Sequence, residues 1–95
     1  MLARIRRWLE GRAMARRIAA LDDDQRRRIV AASPLEAAAF QGEGYHVFRR
    51  DEPDIKAAHV TSLGEVAPRD AEDWIIAHWL GEGRPAPDPE SPPGR

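Results

Sequence analysis

Three histidines, His46, His59 and His78, are the side chains of this chain suited to proton transfer or metal ligation near neutral pH. Imidazole ligands work in sets, and none of the three stands in an HxxxH or HxxE spacing. Cysteine is absent, so no thiolate supports them. A three-histidine site would need a hairpin that brings His46 against His59. The hydroxyl nucleophile candidates are Ser33, Thr61, Ser62 and Tyr45, of which Ser33 reads as a helix cap. Gly42-Glu43-Gly44 lacks the third glycine and the strand-to-helix context of a phosphate-binding loop. No base with an orienting partner is legible. The chain therefore reads as non-enzymatic, with no cofactor, no catalytic residue and no metal site.

Charge is the stronger signal. The formal net charge is only -1, yet nine of the fifteen basic side chains fall within the first 33 residues. There they outnumber four acids, leaving +5, while the remainder sums to -6. Such a split implies either a basic binding face or pairing between the two halves. Arg4, Arg6, Arg7, Arg12, Arg16 and Arg17 are the candidates for binding RNA, DNA or another anionic surface, because neutralised phosphates supply non-specific affinity. On a helical wheel these six spread around most of the circle, as expected of a solvated helix or of an arm that folds on binding. Membrane-surface attachment through Leu2, Ile5, Trp8 and Leu9 is a weaker alternative. No apolar run approaches the ~20 residues of a membrane-spanning helix, and the opening lacks the apolar core of a secretory signal. With fourteen Arg against one Lys, a cytoplasmic protein of a GC-rich bacterium is the expectation.

The elements that must carry these groups read mostly as helices. Leu2, Ile5, Leu9 and Ala13 share one arc at 100° per residue. Met14, Ile18 and Leu21 lie nearly opposite, which predicts a bend at Gly11 or two halves packed on different neighbours. Asp22 with Gln25 forms a capping box for the next helix, whose Arg26, Arg27 and Arg28 sit four residues after Asp22, Asp23 and Asp24. Ser33-Pro34-Leu35-Glu36 reads as a further helix start, running through Phe40 and ending by Gly42. Tyr45 to Phe48 is β-rich and is expected as an extended segment. From Pro53 to Gly64 a helix capped by Asp51 competes with a strand. The strand would put His46 opposite His59 but also Arg49 opposite Lys56, an unfavourable like-charge pair, so the helix is preferred. Asp70 to Leu80 is the clearest helix, apolar on nearly all sides and hence central to a core or shared with a partner.

The stretch from Trp8 through Val30 is similar to the short Arg-rich YjiS-like proteins of proteobacteria in its tryptophan, its basic run and Leu21-Asp22-Asp23 followed by Ile29. It departs from them at Arg28-Ile29-Val30, where that family carries Asp-Ile-Gly, and the resemblance implies no function here.

The fold class expected is mainly α: one domain over residues 1–80 of four to five short helices, an extended segment near 45–48, and a basic helical arm over 1–20. The alternative is α+β with one hairpin at about 45–50 and 55–63. Residues 81–95 hold five of the eight prolines and read as a disordered tail. The functional expectation is a small accessory or regulatory protein that docks onto a larger protein or complex. Trp74, Trp79 and Trp8 are its candidate contacts, since aromatic anchors dominate interface hot spots. Core packing accounts better for Trp74 and an interface better for Trp79.

Overall fold

The computed structural model describes residues 2–87, and for residues 2–10 the helical backbone alone. The order of elements is α1 (Leu2–Ala19), α2 (Asp23–Ala32), β1 (Leu35–Phe40), β2 (Gly44–Arg49), α3 (Ile55–Ala58), β3 (His59–Gly64) and α4 (Pro68–Gly81). The strands form one antiparallel sheet in the order β1-β2-β3. The chain is therefore α+β, and the mainly helical expectation is overturned. The hairpin alternative comes nearer, but it lacked β1 and began its second strand too early.

The misread segment is Ser33 to Phe40. Its alanines favour helix, yet Ser33 ends α2 in an extended conformation, as a residue before proline prefers. Its hydroxyl accepts from the Leu35 amide at 3.1 Å instead of capping a helix. From there the backbone is claimed by β2, in regular register from Leu35↔Arg49 to Phe40↔Gly44. Buried Leu35 and half-buried Ala37 face the helices. Tertiary pairing overrides local propensity here.

Gly42-Glu43-Gly44 is the turn of this hairpin, with the Glu43 amide donating to the Phe40 carbonyl at 3.0 Å. Both glycines have positive φ. Gly44 is further constrained, because a Cβ there would lie 2.1 Å from the Gly64 carbonyl group of β3.

The predicted helix from Pro53 to Gly64 breaks in two. Asp54, not Asp51, caps the short α3 by accepting from the Lys56 amide at 3.0 Å. The chain then extends as β3. Because Lys56 lies in α3, the like-charge opposition to Arg49 never arises; Arg49 instead donates to the Ala57 carbonyl.

Helices α1, α2 and β1 all contact α4, which is thus central to the core. Ile29, Ile76 and Leu80 form one buried cluster and Leu35, Val47 and Ile75 another. Its N-terminus has Pro68 in the first turn, and Asp70 accepts from the Ala67 amide at 3.3 Å. Helix α1 is continuous through Gly11, and the expected packing of its first half falls on side chains outside the described residues. Its Met14 and Ile18 are half-buried against the Ile29 cluster.

Helix α2 carries the expected capping box, with Asp22 accepting from the Gln25 amide at 2.7 Å and Gln25 from the Asp22 amide at 2.9 Å. The expected arginine pairs hold only in part. Asp24 binds Arg28 at 2.8 Å and Arg27 at 3.3 Å. The Arg28 hydrogen bond, with the charges of Arg28 and Arg27, holds the Asp24 carboxyl below its ordinary value. That small contribution is present above the ordinary carboxylate range and lost as pH falls through the depressed value. The Arg26 side chain does not pair with Asp22. It is 4% exposed and reaches α4, donating to Asp73 at 2.7 Å and Glu72 at 3.4 Å. Burial alone would lower its pKa, but the Asp73 and Glu72 carboxylates outweigh that and raise it. The guanidinium stays charged at every pH the fold meets.

Two stability measurements follow from these contacts. Asp73→Ala leaves a buried guanidinium with one distant carboxylate, and urea titration should show a loss of about 2–3 kcal/mol. Glu72→Ala should cost less than ~1 kcal/mol, as for an exposed pair. Gly44→Ala combines positive φ with a backbone clash and should cost about 3 kcal/mol, whereas Gly42→Ala, whose Cβ meets open space, should cost about 1 kcal/mol.

Candidate functional site

The helices cover one face of the sheet, and the chemistry-bearing side chains gather on the other. Alternation along β1 and β2 places Ala38 beside His46 and Glu36 beside Phe48 on this outer face, with Phe40 at the hairpin end. Strand β3 adds Ser62 directly opposite His46. His59 would not reach this face in a regular ladder. Pairing runs Tyr45↔Gly64, His46↔Ser62, Val47↔Thr61 and Phe48↔His59, so Leu63 and Val60 are extra residues in β3. Continued without the second irregularity, Val60 would face Phe48 and His59 would fall on the helix side. The bulge at Val60 re-aims His59 outward, a known use of bulges.

Phe40, His46, Phe48 and His59 then form one aromatic cluster. Ring centroids are 5.1 Å apart for Phe40 and His46, 5.7 Å for Phe40 and Phe48, and 5.6 Å for Phe48 and His59. Two of the pairs, Phe40–His46 and Phe48–His59, meet edge to face, the arrangement the ring quadrupoles favour. At its centre His46 Nδ1 lies 2.9 Å from Ser62 Oγ and 3.2 Å from His59 Nε2, and His59 Nε2 lies 3.2 Å from the same hydroxyl. The second nitrogen of His46, Nε2, is buried without a hydrogen-bond partner. Its nearest carboxylate oxygen is Glu43 Oε1 at 4.0 Å.

The types Ser62, His46 and Glu43 occur in the order of a nucleophile chain, but the imidazole is not oriented by the carboxylate at that distance. Two imidazoles also share one hydroxyl, where nucleophile activation needs one base. Among the described residues no group of three or more His, Asp or Glu side chains could hold a metal ion.

Beside the cluster a cavity of about 310 Å³ is lined by Ala38, Phe40, Phe48, Ile55 and Ala58, with Glu36, Glu52, Arg49 and Arg50 as its charged residues. The exposed large apolar residues among those described are Phe40, Ile55 at 62% and Val60. Phe40 and Ile55 line this cavity, and Val60 sits in the adjoining strand.

No protein-family model, curated protein or solved structure matches the chain. The likeness of Trp8 to Val30 to the YjiS-like proteins thus has no family model behind it.

The candidate contacts read from sequence lie elsewhere. Trp74 is half-buried, stacks on His78 with centroids 5.7 Å apart, and lines an open groove of about 520 Å³ between α1 and α4 with Met14, Ile18 and Ala77. Trp79 packs on the Ile29 cluster. Its indole N–H donates to the Pro85 carbonyl at 3.0 Å, and Arg84 lies over its ring at 5.0 Å. Ala86 packs on the same cluster, so the first part of the proline-rich segment is joined to the domain. Residues 88–95 of that segment lie outside the described residues, as do the side chains of Trp8, Arg4, Arg6 and Arg7. Arg12 and Arg16 are exposed on α1, and Arg17 donates to the Leu80 carbonyl at 3.4 Å. His78 stands apart from the other two histidines, 3.5 Å from Glu82.

Phe40, Phe48 and Ile55 were missed as site residues. The available signal was spacing: His46 and Phe48 alternate with Tyr45 and Val47 directly after a Gly-x-Gly turn, a hairpin pattern. In carbethoxylation followed by mass spectrometry, exposed His59 and His78 should react before His46, whose Nε2 is shielded; a faster His46 would contradict the packing described.

Proposed function

We propose that this is a small non-enzymatic accessory or regulatory protein that binds a larger protein, and that the outer face of the sheet is its contact surface. The observation that carries the reading is the uncovered aromatic face, with Phe40, Phe48 and Ile55 beside a cavity sized for an apolar side chain. A surface that leaves large apolar groups together in water gains free energy when a partner covers them.

Charge narrows the partner. Glu36, Glu43 and Glu52 stand around the face. The neighbouring arginines are engaged: Arg49 on the Ala57 carbonyl, and Arg50 on the Val30 and Ala31 carbonyls at 3.1 and 3.0 Å and near Glu36 at 3.9 Å. A partner that presents an apolar side chain flanked by Lys or Arg is complementary to this arrangement.

The test is affinity capture with mass spectrometry, using wild type beside Ile55→Asp, a change at an exposed position that leaves the core untouched. The wild type should enrich a defined partner, and the variant should lose that enrichment tenfold or more, as a contact-centre residue does. A monodisperse monomer with no enriched protein overturns the reading. Salt-sensitive retention on a polynucleotide column, lost when Arg12, Arg16 and Arg17 become Gln, would favour the nucleic-acid alternative.

A further inference from the structure

We propose that His46 Nδ1, His59 Nε2 and Ser62 Oγ form a binding site for a divalent transition-metal ion of the zinc class on the outer face of the sheet. The inference rests on the geometry of these three atoms and does not depend on the identity of any protein partner.

The spacing is the first argument. The three atoms stand 2.9, 3.2 and 3.2 Å apart. A tetrahedral zinc ion with bonds of about 2.0–2.1 Å holds neighbouring donor atoms about 3.3–3.4 Å apart. The observed triangle is one face of that polyhedron, contracted by a few tenths of an ångström. β2 and β3 already hold the three donors together, and the ion requires the two rings, inclined at 56°, to turn until both lone pairs meet at one apex.

Proton bookkeeping is the second. In the metal-free cluster, two imidazole nitrogens and a hydroxyl meet with one another. At least one ring nitrogen must carry a proton into the triangle, and the His46–His59 contact is satisfied only when the other does not. A metal ion removes this restriction, because both ring nitrogens then present lone pairs to it. His46 would carry its proton on Nε2 and His59 on Nδ1.

That tautomer gives the buried Nε2 of His46 a role. The atom has no hydrogen-bond partner; in that tautomer it would be an N–H donor, and Glu43 Oε1, 4.0 Å away on the exposed hairpin turn, is within reach of a side-chain rotation. A metal-bound histidine usually donates its second N–H to a carboxylate, which orients the ring and raises its basicity. Rotation of Glu43 onto Nε2 would complete that pattern on one of the two rings.

Donor chemistry selects the ion. Two imidazoles suit zinc, copper or nickel, and magnesium or calcium poorly. The hydroxyl is a weak third donor and His59 and Ser62 are exposed, so water completes the shell. In the sequence only a regular hairpin joins the two histidines. His46 is thirteen residues from His59, and the pair meets only because the Val60 bulge turns His59 to the outer face.

The test uses the untagged full chain, stripped with a chelator and titrated with zinc chloride by calorimetry and by competition with a chromophoric zinc indicator. One ion per chain should bind saturably, with the same donors shown by ring-nitrogen chemical shifts of His46 and His59. His59→Ala, at an exposed position, should abolish that binding, and His46→Gln should do the same. Glu43→Gln should weaken it by about tenfold or more, the effect typical of a removed carboxylate partner, while His78→Ala leaves it unchanged. Magnesium should not compete. No saturable zinc binding, or binding that survives His59→Ala and His46→Gln in folded protein, overturns the proposal and leaves the triangle a hydrogen-bonded cluster.

Discussion

The arrangement of this fold depends on one buried cation. Arg26 is held out of water between α2 and α4, and a guanidinium in that position is tolerable only with a carboxylate against it. Asp73 provides that at 2.7 Å, with Glu72 beside it. The bond fixes which turn of α2 faces which turn of α4, and the apolar contacts of Ile29 with Ile76 and Leu80 follow from that alignment. Both carboxylates remain partly exposed, so Arg26 is the one largely buried charge of the set. The opposite charges of the two halves of the chain thus include a pair that joins them.

The sheet hangs from the same two helices. Arg50, at the end of β2, donates to the last carbonyls of α2, and its own amide binds the Pro34 carbonyl at 2.8 Å. Leu35 and Val47 then meet Ile75 of α4. With one face of the sheet filled in this way, everything of opposite alternation is displayed outward. Exposed Phe40 and half-buried His46 and Phe48 point outward as a consequence of the packing of their neighbours. The outer face is organised by the core beneath it, and its aromatic rings are restrained before any partner arrives.

Local signals with a short physical range were legible in the sequence. The Asp22–Gln25 capping box, the Asp24–Arg28 pair and the apolar helix ending at Gly81 each depend on residues within four positions, or on one stripe. The errors share a cause: they required knowledge of what lies across space. Nothing between Asp22 and Arg28 indicates that Arg26 abandons its local acid for α4. Alanine-rich β1 is helical by propensity and a strand only because β2 is beside it. Gly42 reads as a helix terminator, whereas it lies in the hairpin turn, and Gly44 beside it is held against Gly64. The candidate site was the least legible part, since it is assembled from two strands whose register includes two extra residues. His46 and His59 could be paired in thought only through a regular hairpin, and the actual strand is irregular.

The bulges at Leu63 and Val60 have a further effect, on self-association. Strand β3 forms one outer edge of the sheet, where a regular strand would present an even row of backbone donors and acceptors to any passing chain. Extra residues break the spacing of that row and increase local twist. A copy of the protein approaching edge to edge would find matched hydrogen bonds over only two or three residues before the register failed. The irregularity that brings His59 beside His46 also makes this edge a poor template for polymerisation.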